Sequence, residues 1–139
     1  FKVHKNVLCS RSKFFKNACK GGFMEASSGT IDLQDDDPDT VKAMLQFCYT
    51  ADCAYGTALH AKVREPFVYS RLRPKHLIIN QVYATAEKYN IKSLKDLARG
   101  KFQTAAYSDW NSPYFPVTIG FVYRSTPPSD RGLRDMVVK

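Results

Sequence analysis

Several features are scarce or missing in this chain of 139 residues. It has no apolar run of the roughly 20 residues that a membrane-spanning helix needs, which excludes a helical span. It has no glycine-rich phosphate loop and no serine elbow. Its three histidines, His4, His60 and His76, are unrelated in spacing. No catalytic set can be assembled from these parts, so the chain is not expected to be an enzyme or to carry a cofactor. There are four cysteines, Cys9, Cys19, Cys48 and Cys53, and none forms a CxxC pair. Without zinc-ligand spacing they are expected to be reduced core thiols of an intracellular protein, nuclear or cytoplasmic, and not metal ligands. The single tryptophan, Trp110, falls in a polar linker and is expected to pack into the core.

One sign of charge is in surplus. The formal net charge is +8, which raises the alternative of a basic, nucleic-acid-associated regulatory protein. The distribution argues against it. Lys and Arg are scattered over several elements and few aromatics interleave with them, the pattern of a solvated surface.

The opening stretch, Phe1 to Phe15, is the most informative. Phe1 and Val3 alternate with Lys2 and His4 at the period of a half-buried strand. From Asn6 onward Val7, Leu8, Phe14, Phe15 and Ala18 recur at helical spacing, with a cap or kink expected at Ser12. A domain rarely opens inside a strand, so a preceding strand is expected upstream of Phe1.

The same stretch resembles the strand–helix signature of the BTB/POZ family, especially its fungal members. There, an apolar-x-Val-His-Lys strand end enters a Val-Leu helix and is followed by Ser-x-x-Phe, here Phe1–Lys5, Val7–Leu8 and Ser12–Phe15. Phe23, Met24 and Glu25 match the family's Gly-Phe-x-Glu turn after Gly21 and Gly22. Tyr49, Thr50 and Ala51 resemble its Tyr-Thr helix exit, and Val82–Tyr89 resembles its Val-Tyr-x-x-Ala-x-Lys-Tyr helix. The expectation is an α+β fold: a small sheet flanked by a cluster of helices, with the first strand missing. The domain would cover residues 1–106, and residues 107–139 would form a C-terminal helical extension.

Local reading fills in the elements. Thr30–Leu33 alternates, with Ile31 and Leu33 inward, as a second strand, and Cys53 and Tyr55 suggest a third. Asp35, Asp36 and Asp37 precede a helix that begins at Pro38. Asp37 is placed to cap it, and no closing Glu of a calcium loop follows. Val41, Met44, Leu45 and Cys48 form that helix's apolar stripe. Ser93 is expected to cap a helix with Leu94, Leu97, Ala98 and Phe102 inward. A further helix from Ser112 buries Phe115, Ile119, Val122 and Tyr123, and a last one runs from Ser129 to Val138.

One segment interrupts the family pattern. Residues 63–81 separate LHAK (Leu59–Lys62) from VYATAEKY (Val82–Tyr89), halves that join into one helical repeat. The segment carries four basic residues against Glu65, a net of +3. Two readings stand open. It is a retained intron translated in frame, since Val codons begin GT and Gln can be encoded CAG. Otherwise it is a true insertion whose Leu77, Ile78 and Ile79 extend the helix ending at Tyr89, with Ile78, Val82, Ala86 and Tyr89 on one face.

Function follows from the resemblance. BTB/POZ domains form homo- or hetero-oligomers through the first helix, here Val7, Leu8, Arg11, Phe14 and Phe15. Independently, a helix that is apolar at both Val7/Leu8 and Phe14/Phe15 has more apolar girth than one core face uses. Some relatives act as substrate adaptors for cullin-type ubiquitin ligases, and the implied cullin-facing residues are Phe47, Tyr49, Thr50, Asp52 and Tyr55. The partners implied are proteins, with no membrane.

Overall fold

The computed structural model describes residues 1–22, 24–52 and 75–138. Two short helices open the chain, α1 (Lys5–Arg11) and α2 (Lys13–Ala18), followed by α3 (Met24–Ser28) and α4 (Pro38–Thr50). After residues 53–74 come α5 (Lys75–Lys88), α6 (Lys92–Asp109), α7 (Phe115–Ser125) and α8 (Arg131–Val137). Helix α5 is the centre, packing most extensively on α6 and also on α4 and α7. Helix α1 closes on α4, and α8 closes on α6 and α7.

The α+β expectation is overturned, because among the described residues all regular structure is helical and no strand forms. A strand exists only through its ladder, and here side chains and helix starts take the backbone groups first. The His4 N–H donates to the Tyr49 hydroxyl at 2.8 Å, while the His4 carbonyl accepts from Val7 and Leu8. The Thr30 N–H donates to the Ser28 hydroxyl, and the Gln34 N–H to Asp32 Oδ1. Phe1 stays 76% exposed. Ile31 and Leu33 do pack against the core, so the alternation was read correctly while the strand was not. The expected third strand, Cys53 and Tyr55, lies outside the described residues.

Helix ends follow side-chain chemistry. Asp37 caps α4 by accepting the Thr40 N–H at 3.1 Å, with Pro38 in the first turn. The far end of α4 turns through Ala51 at φ 58°, a left-handed conformation with no glycine to relax it. Helix α5 ends in a Schellman motif: Asn90 is left-handed at φ 52°, its N–H reaches the Glu87 carbonyl, and the Ile91 N–H reaches Ala86 at 2.8 Å. That turn displaces the expected Ser93 cap, because α6 starts at Lys92 behind Ile91, which offers no side-chain cap. Leu94, Ala98 and Phe102 are buried as expected.

Two further expectations fail. Trp110 is 68% exposed, since α6 runs to Asp109 and leaves the indole just past its end. Helix α7 starts at Phe115, not at Ser112. Thr118 and Val122 are its buried pair, while Tyr123 is largely exposed, its ring covered on one face by the Arg134 guanidinium.

Candidate functional site

The break between α1 and α2 organises the surface that the sequence nominates. Ser12 is extended, at φ −130° and ψ 124°, and its hydroxyl accepts the Phe15 N–H at 3.2 Å to start α2. The same hydroxyl donates to the Tyr89 carbonyl at 2.5 Å, satisfying an acceptor that the end of α5 leaves open. One buried side chain therefore sets the angle between α1 and α2 and pins both to the hub helix.

The aromatic cluster beneath this joint consists of Phe14, Phe15 and Tyr89. Phe15 stacks on Tyr89 with centroids 5.3 Å apart, and Phe14 meets Tyr89 edge-on at 5.0 Å. The Tyr89 hydroxyl donates to Asp36 Oδ2, which also receives Lys88 at 2.9 Å. Burial, reinforced by Asp36, pushes the Tyr89 phenol up to about 12.

Of the five nominated interface residues, the structure places Leu8 and Phe15 in the core. Val7 is half-buried, Arg11 is exposed and Phe14 is 41% exposed. The outward part of the surface is thus Val7, Arg11 and Phe14.

The nominated cullin-facing residues also divide. Phe47 is buried. Tyr49, Thr50 and Asp52 are exposed together at the C-terminal end of α4, and Tyr55 lies outside the described residues. The Tyr49 hydroxyl is held by His4, through its N–H and Nδ1 at 2.8 and 2.9 Å, where the chain enters α1. Asp52 Oδ1 faces Lys101 at 2.9 Å.

Three features were not anticipated. The first is a groove of about 710 Å³ between residues 1–5, residues 25–34 and the α1–α2–α4 surface, floored by Leu8, Phe15 and Val41. Its walls are the two stretches expected to be strands, so the alternating pattern was the available signal. The second is polar burial in α5. His76 and Asn80 are wholly inaccessible, neither imidazole nitrogen has a hydrogen-bond partner among the described residues, and Asp109 Oδ2 stands 3.7 Å from His76 Nδ1. The third is a lock between α5, α6 and α8. The Tyr83 hydroxyl donates to Asp130 Oδ1 at 2.7 Å, and Lys95 faces Asp130 Oδ2 at 2.8 Å. Burial raises the Asp130 carboxyl, but Lys95 and Tyr83 outweigh it and leave the group below its ordinary range.

Among the described residues no group of three His, Cys, Asp or Glu side chains is arranged to hold a metal. No helix among them is long and apolar enough to cross a membrane.

Comparison with known proteins points the same way as the opening motif. The family model described as the BTB/POZ domain matches residues 1–65. A BTB/POZ domain-containing protein of Arabidopsis thaliana is 29% identical over 111 residues, covering 69% of this chain. The chain spans 45% of that relative's length. No solved structure matches.

Proposed function

We propose that this chain is a protein–protein interaction module that pairs with a second copy through the outward edge of α1 and α2. The carrying observation is the BTB/POZ match over residues 1–65, the stretch that contains both helices. BTB/POZ domains are generally protein-interaction modules. Phe14 supports the reading, as a rigid aromatic left 41% exposed beside Val7 and Arg11. The module covers residues 1–106, ending near the close of α6, and residues 107–139 extend it as helices that dock back: α7 on α5, and α8 on α6 and α7. We place it inside the cell.

The nucleic-acid alternative finds less support. Lys88 pairs with Asp36, Lys95 with Glu87 and Asp130, Lys101 with Asp52, and Arg131 with Asp135. Acidic partners interleaved with the bases dilute the field that a phosphate backbone would require.

Light scattering coupled to size exclusion tests the reading. A dimer that Phe14→Glu converts to monomer, with helicity unchanged, supports it. A strict monomer at high protein concentration refutes it. Within the same function, the exposed Tyr49–Thr50–Asp52 end of α4 is the surface we assign to a cullin-type ubiquitin-ligase scaffold. Capture of the scaffold's N-terminal domain that Thr50→Arg abolishes supports that assignment, and absence of capture removes it.

A further inference from the structure

The geometry points to Cys9 and Cys19 as a reversible dithiol–disulfide pair, oxidised by small disulfides of the glutathione type that enter through the groove beside α2. Cys9 lies in the middle of α1, Cys19 closes α2, and the Ser12 break stands between them. Because the chain turns at Ser12, both cysteines converge on one acceptor. The Phe15 carbonyl takes the Cys19 N–H at 3.0 Å and the Cys9 thiol at 3.7 Å. The Cys9 side chain lies against that of Cys19. Both are half-buried free thiols, and Cys19 forms part of the groove wall. A cavity of about 710 Å³ is large enough to admit a tripeptide disulfide.

The order of events follows from access. The Cys19 thiolate attacks one sulfur of oxidised glutathione, which breaks the S–S bond, releases one glutathione thiolate and leaves a mixed disulfide at Cys19. The Cys9 thiolate then attacks the Cys19 sulfur, forms the Cys9–Cys19 bond and expels the second glutathione. Two thiols are oxidised, one disulfide is reduced to two thiols, and the protons released by Cys9 and Cys19 are taken up by the two glutathiones. Burial and the neighbouring Cys19 push the Cys9 thiol up, with Lys5 and Lys16 pulling the other way, so Cys9 is the slower thiol toward dissolved glutathione and reacts second, once Cys19 holds the mixed disulfide beside it. Cys48 is buried in the core and its thiol is pushed up by that burial, so it serves as an internal control.

The test uses the whole chain, excess oxidised glutathione at mildly alkaline pH, a maleimide quench completed in denaturant so that it reaches Cys48, and trypsin digestion without reductant. Cleavage at Lys5, Arg11, Lys16 and Lys20 puts Cys9 on Asn6–Arg11 and Cys19 on Asn17–Lys20. The expected product is these two peptides joined, about 2 Da lighter than their sum, with Cys48 carrying maleimide. In Cys9→Ser, Cys19 accumulates as the glutathione mixed disulfide. In denaturing urea the ratio of cross-link to mixed disulfide falls by about tenfold or more, because the fold no longer holds the thiols together. Maleimide on both peptides, a resting mixed disulfide at Cys9 or Cys19 in the unsubstituted chain, a Cys9–Cys19 cross-link between chains, or a ratio unmoved by urea would each overturn the assignment, whatever Cys53 on the separate peptide 43–62 carries.

Discussion

Ser12→Ala removes one hydroxyl from a residue that is 2% exposed, and two partners lose a hydrogen bond at once. Loss of an N-cap costs about 0.5–2 kcal/mol. The Tyr89 carbonyl is the second loss. Tyr89 is 1% exposed, so water does not replace the donor, and a buried acceptor left unpaired costs about 1–3 kcal/mol. The two losses together predict a destabilisation of about 1.5–5 kcal/mol, a large share of the roughly 5–15 kcal/mol that holds a domain folded. Urea unfolding followed by far-ultraviolet circular dichroism should show the midpoint falling by about 1–2 M with the slope unchanged. Ser10→Ala is the matched control, since its hydroxyl bonds only the Val7 carbonyl on an exposed surface and should cost under about 0.5 kcal/mol. Indistinguishable midpoints for the two variants would refute the claim that Ser12 joins α1–α2 to α5.

Two other substitutions test the helix ends. Gly132→Ala should destabilise by about 1–2 kcal/mol despite alanine's better helix propensity. A Cβ there would clash with the Tyr83 hydroxyl and force it off Asp130, so a rise in melting temperature would contradict the lock. Ala51→Gly should stabilise by about 1 kcal/mol by relieving the left-handed turn that ends α4, and a lowered thermal midpoint would count against it.

The helices were legible because their signals are local. Asp37 and Pro38 marked the start of α4, and Val41, Met44, Leu45 and Cys48 marked its stripe, all four of which are buried. The break at Ser12 was legible for the same reason. The sheet was misread because alternation reports only which side chains face inward, and Ile31 and Leu33 do so without a ladder. Whether a strand forms depends on a partner backbone elsewhere, which no window of sequence contains. Trp110 failed for a related reason: an aromatic residue in a polar linker carries no period to say which way it faces.

The α5 stripe shows a third kind of failure. The expected extension through Leu77, Ile78 and Ile79 is present, since α5 runs from Lys75 to Lys88. Of the expected face Val82, Ala86 and Tyr89 are buried and Ile78 only half-buried, while the buried side also takes in His76, Ile79, Asn80, Tyr83 and Thr85. A stripe assumes one neighbour, whereas α5 has α4, α6 and α7 around it. A helix so enclosed buries polar residues wherever they fall, and neither His76 nor Asn80 stood out in sequence.

His76 turns that enclosure into a measurement. Burial holds its imidazole below the usual histidine range, with Asp109 opposing only in part. The folded state therefore favours the neutral ring and the unfolded state takes up the proton first. Stability is full above the ordinary value of 6.5 and falls as pH drops below it, until the folded-state value is passed. Among the described residues the neutral ring leaves both nitrogens without a hydrogen bond, so an apolar side chain of similar size removes a desolvation cost and gives up only the loose 3.7 Å contact with Asp109. His76→Leu is expected to leave stability at neutral pH unchanged or raised by about 1 kcal/mol. It should also flatten the decline that the unsubstituted chain shows between neutral pH and the carboxylate range. Urea midpoints collected across that interval decide the matter. A variant that loses stability at neutral pH and keeps the acid decline would mean that the imidazole is held by an interaction worth more than the cost of burying it.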